Sequence, residues 1–380
     1  MPRARIFHGH DWVYSSEIRK TFGSPEPGEV ISLKDFKDRP LGSAIYNPAS
    51  QIVARRFSRR KQALDHDFFV RRIKQAQKLR SHLNIDPKLS RTIWSESDGL
   101  PGVIVDRYGE HLVLQTLTLA MDQRKDLIVS ALVEVFQPTS IILRNDSPIR
   151  KAERLATEVS VVHGNDPGEV PVNFDDVTFH LNLLQGQKTG LYLDQLDAYQ
   201  QVARFSKGLR VLDCFSNQGG FGLACAKAGA AHVTCVDISG EAIAGVQKNA
   251  SASNLSVEAV EANVFDYLKS CTETWDLIVL DPPSFTKNKK SVNDAMRGYK
   301  EIHLRAMKLL NHDGFLATFS CSHHISREIF MDSVRSAAVD AKKTLRLVES
   351  YSQRADHPIL PTLPETEYLK GFLLQLIPGR

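Results

Sequence analysis

Apolar and polar positions change their rhythm near residue 206, and that change divides the chain. Beyond it, short continuous apolar runs at 209–214, 232–236, 257–260, 277–280, 314–319, 345–351 and 372–377 read as buried strands. Stretches at 221–228, 240–253, 298–310 and 326–341 carry apolar residues at helical spacing and separate most of those runs. Strands that are apolar on both faces, joined by helical crossovers, predict an α/β sheet covered on both sides with right-handed connections. Pro358, Pro361 and Pro364 punctuate the segment between the last two strands, so no crossover helix fits there. The final strand is therefore expected to run antiparallel.

Upstream the rhythm is less regular. Over 28–57 short apolar runs alternate with turn signals such as Pro25-Glu26-Pro27-Gly28 and Tyr46-Asn47-Pro48, the pattern of a small β-rich domain. Phe69, Ile73, Ala76, Leu79 and Leu83 then fall at helical spacing over 64–83. Strands at 103–105, 112–117, 140–143 and 177–183 with a helix at 126–136 suggest a small α+β module. The expected domains are 1–72, 73–184 and 185–380.

Composition adds three constraints. With 380 residues, 42% hydrophobic and 24% charged, the chain reads as soluble and globular in two or three domains. No run approaches the roughly 20 apolar residues of a membrane span, and residues 1–10 lack a leader pattern, so a cytoplasmic protein is expected. The five cysteines (Cys214, Cys225, Cys235, Cys271 and Cys321) are odd in number and lack C-x-x-C spacing, which suggests neither a disulfide framework nor a metal site. Net charge is only +4, but between residues 51 and 80 ten Lys or Arg stand against Asp65 and Asp67. Such a run can attract a phosphate backbone or simply form the solvated face of a helix.

In open α/β sheets, ligands bind beyond the carboxyl ends of the strands. The first such turn is Asp213-Cys214-Phe215-Ser216-Asn217-Gln218-Gly219-Gly220. Its adjacent glycines would let the backbone approach a ligand, yet it lacks the G-x-G-x-x-G spacing of a dinucleotide site. Asp213 would repel a pyrophosphate, so a cofactor with an ammonium group and no phosphate fits better. Asp237 ends the second strand, 18 positions after Gly219, where an acid accepts hydrogen bonds from ribose hydroxyls; the alternative is a helix cap. Asn263, among apolar neighbours after the third strand, suits an adenine edge.

Taken in order at successive strand ends, Asp213 with Gly219-Gly220, then Asp237, Asn263 and Asp281-Pro282-Pro283 resemble the motif series of class I S-adenosylmethionine-dependent methyltransferases. The fold implied is a Rossmann-like seven-stranded sheet. Phe215, Ser216, Ile238 and Val264 join the cofactor positions from the same segments. A narrower likeness rests on Gln187-Lys188-Thr189-Gly190-Leu191-Tyr192-Leu193-Asp194-Gln195, on Ser97-Asp98-Gly99-Leu100-Pro101-Gly102, and on Gly9-His10-Asp11-Trp12-Val13-Tyr14. These resemble the PUA-domain-containing large-subunit ribosomal RNA cytosine-5 methyltransferases. That resemblance implies a PUA-like RNA-binding domain at the start, a ribosomal RNA substrate, a homodimer, and Gln187, Tyr192 and Asp194 enclosing the cofactor.

C5 of cytosine is a poor nucleophile, so transfer to it needs a group that adds to C6 and pushes electron density onto C5. Cys321, in Ser320-Cys321-Ser322 after the fifth strand, falls on the ligand side of the sheet, in a context similar to the nucleophile motif of RNA pyrimidine C5 methyltransferases. A lowered thiol pKa would be required, to which His323 and His324 could contribute. Asp281 would hydrogen-bond the ring. Ser284 departs from related families that carry a second cysteine there, which leaves the acceptor of the C5 proton unassigned. Phe285 with Lys287, Lys289 and Lys290 offers stacking and phosphate contacts for an extruded base, or a plain loop anchor and solvated flank. Two other readings remain: methylation of a nucleobase nitrogen, which needs no thiol, and a non-catalytic RNA-binding assembly protein.

Overall fold

The computed structural model describes residues 5–185, 191–286 and 291–377. The chain divides into two compact units, one of Met1–Val170, Leu181–Leu193 and Ala355–Thr366, the other of Pro171–His180, Asp194–Arg354 and Glu367–Arg380.

In the first unit, β1 (Trp12–Tyr14), β2 (Val30–Lys34), β3 (Pro40–Tyr46) and β4 (Ile52–Ser58) form an antiparallel sheet in the order β1-β4-β3-β2. Helix α1 (His66–His82) follows, its first turn capped by Asp65, which accepts a bond from Phe68 N–H at 2.8 Å. Phe69, Ile73 and Ala76 recur on its apolar face, as their spacing predicts, and Phe68 packs edge-on against Phe57 of β4 with centroids 5.3 Å apart. The same core takes in β5 (Leu89–Trp94), β6 (Val103–Tyr108), β7 (His111–Thr116), the single turn α2 (Leu119–Asp122), α3 (Lys125–Phe136) and β8 (Ser140–Asn145). β9 (Glu158–Gly164) completes a five-stranded sheet whose β7–β8 pair is parallel and the rest antiparallel. β10 (Glu169–Phe174) and β11 (Val177–Asn182) make a separate two-stranded ladder.

The basic run is not one continuous cationic face. Arg56 pairs with Asp11, Arg55 with Glu96 and Glu153, and Arg80 is buried against Asp98 through two bonds of 2.6 and 2.8 Å. Arg59, Arg60, Lys61, Arg71, Lys74 and Lys78 stay exposed. Arg80 also donates to the carbonyls of Arg91 and Asp356, while Asp98 accepts from Trp94 N–H. Asp98 and Asp106, the latter bidentate to Arg91, are thus ion-pair anchors as well as turn and strand residues. Replacing Arg80 with Met strands the Asp98 carboxylate in the core. A loss of about 3–5 kcal/mol is expected, read as a lower urea midpoint for the first unit; an unchanged midpoint would contradict this anchoring role.

The second unit takes in residues 171–180 of the β10–β11 ladder and resumes with α4 (Leu196–Ala203). It continues through β12 (Arg210–Cys214), α5 (Gly220–Lys227), β13 (His232–Asp237), α6 (Gly240–Ala252), β14 (Glu258–Glu261), α7 (Val264–Ser270) and β15 (Trp275–Leu280). Next come α8 (Val292–Leu309), β16 (Leu310–Ser320), α9 (Arg327–Ala341), β17 (Thr344–Ser352) and β18 (Lys370–Ile377). The seven strands lie in the order β14-β13-β12-β15-β16-β18-β17, and β18 is antiparallel to both neighbours, as the proline-broken connection requires. Leu212, Ile278, Leu280 and Leu316 pack under Tyr299, Ile302 and Ala306 of α8 and Phe330 of α9. From β12 the chain steps first to β13 and β14 on one side and then to β15 on the other. A crevice forms where the order reverses, and the loops after β12 and β15 meet there. No helix among the described residues is long and apolar enough to cross a membrane.

Candidate active site

The loop after β12 is built from backbone that few residues tolerate. Phe215, Asn217 and Gly219 all have positive φ, at 62°, 46° and 85°. Two non-glycine residues in the left-handed region persist only where their surroundings hold them there. Ser216 N–H donates to Val236 O at 3.1 Å and Asn217 N–H to Asp237 Oδ2 at 2.9 Å. Asp237 Oδ1 accepts from Ser239 N–H at 3.0 Å, so this carboxylate ties two strand-end loops together. The cap of α6 is Ser239, whose Oγ accepts from Ala242 N–H. Gly220 serves a different purpose from the one its sequence suggests. A Cβ there would lie 2.3 Å from the Tyr199 ring, so the missing side chain lets α5 close onto α4.

Asp213 is fully buried. Its Oδ2 accepts from Gly222 N–H at 2.8 Å, whereas Oδ1 is buried with no hydrogen-bond partner. Burial pushes its carboxyl up to about 8; the Gly222 bond opposes this, and the charges of Asp281 and Asp237 add to it. Gln195 Nε2 donates to Asp281 Oδ2 at 3.1 Å, leaving Gln195 Oε1 buried and unpartnered; Ser216 Oγ is also buried and unpartnered. Buried acceptors without donors are costly, and here they gather around three carboxylates. The missing complement is a cation rich in N–H groups, which an amino-acid ammonium supplies.

The remaining cofactor candidates divide by surroundings. Ile238, beside Asp237, is 67% exposed and offers an apolar face to a ring. Asn263 caps α7, its Oδ1 accepting from Phe265 N–H at 2.9 Å, which leaves the carboxamide nitrogen as its other polar group. The Val264 side chain is in the core, so only its main chain can meet a ligand. Asp194 Oδ2 accepts from Tyr368 OH at 2.6 Å. Tyr192 is half-buried and belongs to the first unit. Gln187, like Lys287, Lys289 and Lys290, lies outside the described residues.

Cys321 follows the last residue of β16 and is half-buried. Around it runs a chain of hydroxyls. Ser284 Oγ lies 3.0 Å from Ser322 Oγ, which lies 3.2 Å from Tyr299 OH, and Tyr299 OH donates to Ser320 Oγ at 2.9 Å. These bonds tie the Asp281-Pro282-Pro283-Ser284 loop to the turn carrying Cys321. Burial pushes the Tyr299 phenol up to about 12, with Cys321 and Asp281 both adding to the shift, so both groups lie within electrostatic reach of one ring. Lys370 Nζ donates to the carbonyls of Ser322 and Ile325. His323 and His324 are exposed. Burial raises the thiols of Cys214 and Cys235 well above their ordinary value and that of Cys225 to about 12, which makes those three inert packing residues. Gln195, Tyr299, Ser322 and Lys370 were not candidates from the sequence; Gln195, at the end of the Gln187–Gln195 motif, and Ser322, in Ser320-Cys321-Ser322, carried a signal, and Tyr299 and Lys370 carried none.

A PUA-like domain family matches residues 3–59, and the family described as S-adenosylmethionine-dependent methyltransferase matches residues 155–373. Proteins named ribosomal RNA large subunit methyltransferase I resemble the chain along nearly its whole length. The one from Aliivibrio fischeri (strain MJ11) is 38% identical over 97% of this chain and 96% of its own, and one from Vibrio cholerae (strain ATCC 39541) has the same identity and coverage. Among solved structures, the methyltransferase SMU.776, crystallised with SAH, superposes with a TM-score of 0.85 at 21% identity, covering 98% of this chain and 97% of its own. That likeness shows the fold, a class I methyltransferase sheet with an N-terminal PUA-like β domain. With more than half the chain matched by the family and relatives aligned end to end, the chain belongs to the S-adenosylmethionine-dependent methyltransferases.

Proposed function

We propose that this protein methylates C5 of a cytidine in large-subunit ribosomal RNA through a covalent adduct to Cys321. The relatives named above support ribosomal RNA as the substrate, and the exposed cations Arg59, Arg60, Lys61, Arg71, Lys74 and Lys78 suit phosphate contacts by residues 1–72 and the helix leading out of them. The observation that carries the chemistry is the linkage of the Cys321 turn to the Asp281 loop through Ser284, Ser322 and Tyr299. A cysteine and an acid are thereby held at the ends of adjacent parallel strands, β16 and β15.

S-adenosylmethionine, when bound, supplies an electrophilic methyl group on a sulfonium. Asp213 and the Gln195 carbonyl would hold its ammonium, Asp237 its ribose hydroxyls, and Ile238 and Asn263 its adenine, with Phe215, Ser216, Gly219 and the Val264 main chain shaping the walls. Asp194 would close the site. The Cys321 thiolate adds to C6 of the cytosine, and the C6–S bond forms as electron density moves onto C5. After methylation at C5, the C5 proton leaves and the electron pair of that C–H bond expels Cys321, restoring the double bond. Asp281, oriented by Gln195, meets N3 or the exocyclic amine and fixes the ring while charge develops on it. Homodimerisation and a cytoplasmic location accompany this reading as proposals.

The test is transfer of a labelled methyl group to large-subunit ribosomal RNA fragments, followed by nucleoside analysis. 5-Methylcytidine is the expected product. A methylated purine or an N-methylated pyrimidine would overturn the carbon-transfer reading, and absence of both cofactor binding and transfer would favour an assembly protein.

A further inference from the structure

Lys370 opens β18 opposite Ser320 in the antiparallel ladder with β16, and it is only 5% exposed. A buried ammonium must find hydrogen-bond partners. Its Nζ finds two at 2.6 Å, the main-chain carbonyls of Ser322 and Ile325, which belong to the turn that begins at Cys321. Neither partner is a carboxylate, so the charge is hydrogen-bonded without being neutralised. Two carbonyls could be satisfied by a neutral donor. A fixed cation beneath a turn whose first residue is a thiol has a further consequence, because a nearby positive charge favours thiolate over thiol.

We propose that Lys370 is a positioning residue for Cys321: its ammonium pins the 321–325 turn and holds the neighbouring sulfur in its thiolate form at neutral pH. The proposal rests on the reading of Cys321 as nucleophile and supplies what that reading lacked, a local cation to activate the thiol. Exposed His323 and His324 are poorly placed for this, since solvent screens them.

Burial pulls the Lys370 ammonium down to about 8; Cys321 and Glu367 oppose that shift and Arg327 adds to it. Tyr299 of α8 feels the charges of both Cys321 and Asp281, and His323 and His324 follow Cys321 on the turn itself. Thiol and ammonium therefore titrate as a coupled pair. The positive charge beside the turn is lost as pH rises through the ammonium's value of about 8.

The test measures iodoacetamide alkylation of Cys321 by peptide mass spectrometry between pH 5.5 and 9.5, on the full chain. Lys370→Met is expected to raise the midpoint of the rate profile by about one pH unit or more, which is ~10-fold less thiolate below the midpoint. Lys370→Arg should stay near the unaltered protein, and the acidic limb of the methyl-transfer kcat should move with the alkylation midpoint while KM for S-adenosylmethionine holds. If Lys370→Met fails to fold, Lys370→Gln keeps a donor without the charge and is read the same way. A uniform loss of rate with no change of midpoint, or an arginine variant as impaired as the methionine one, overturns the proposal. Alkylation needs no RNA, so an unshifted midpoint sinks the Lys370 assignment alone, whereas methylation surviving in Cys321→Ala sinks the nucleophile reading beneath it.

Discussion

Replacing Cys321 with alanine is expected to lower cytosine C5 methylation by more than ~10⁴-fold while leaving S-adenosylmethionine affinity within about twofold. The asymmetry follows from where the groups sit. Most cofactor candidates hang on the loops after β12, β13 and β14, with Asp281 after β15 and Asp194 ahead of α4, whereas Cys321 belongs to the turn after β16. In the proposed reaction, removing the thiol takes away the step that makes C5 nucleophilic, and the neighbouring hydroxyls would not replace it. Cys321→Ser should be almost equally inactive, because a hydroxyl of ordinary acidity is a far poorer nucleophile at neutral pH. At a half-buried site the alanine costs little stability, about 1 kcal/mol, so a loss of activity without loss of cofactor binding can be read as chemistry. Isothermal titration with the cofactor and labelled transfer to RNA measure the two halves. Undiminished transfer in Cys321→Ala, with the label on a ring nitrogen, would sink the adduct and install the nitrogen reading.

Much of the second unit was legible because buried parallel strands are written as largely apolar runs, such as Leu277-Ile278-Val279-Leu280 within Trp275–Leu280. α4 and α7 were not, since eight and seven residues give periodicity too few turns to declare itself. β5 escaped for another reason. Its Leu-Ser-Arg-Thr-Ile-Trp sequence looks half-solvated, and only the bidentate Arg91–Asp106 pair makes an arginine compatible with that strand. The basic run was misleading in the same way: charge is visible in sequence but its partner is not, and Glu96, Glu153, Asp11 and Asp98 claim three of its arginines. At the site, strand ends located Asp213, Asp237, Asp281 and Cys321. The groups that tune them come from far along the chain, Gln195 from 86 residues before Asp281 and Lys370 from 48 after Ser322. No local pattern encodes such meetings.

Asp213→Asn should make the cofactor-free protein more stable and weaken its hold on the cofactor. In the folded chain burial holds the Asp213 carboxyl at about 8, against an ordinary 3.8. The shift is upward, so between those values the folded state keeps a proton that the unfolded state has released. Stability from this group therefore falls as pH rises from about 4 to about 8, and the penalty is complete above that window. Asparagine carries no charge at any of these pH values and its carbonyl still accepts the Gly222 N–H. The melting temperature of Asp213→Asn should accordingly exceed that of the unaltered protein at pH 8.5 by on the order of 5 °C, with the gap closing toward pH 5. Binding reverses the sign. An ammonium bound at Oδ1 favours the carboxylate, so cofactor affinity should climb with pH up to about 8, by at most ~10-fold per unit, with a proton released on binding. Loss of that charge-assisted bond costs about 1.5–3 kcal/mol, or roughly 10- to 150-fold in Kd. Calorimetry in buffers of different ionisation enthalpy measures the proton release directly. A variant that binds the cofactor as tightly as the parent, or a melting gap that does not vary with pH, would show that Asp213 is a packing acid and that the cation lies elsewhere.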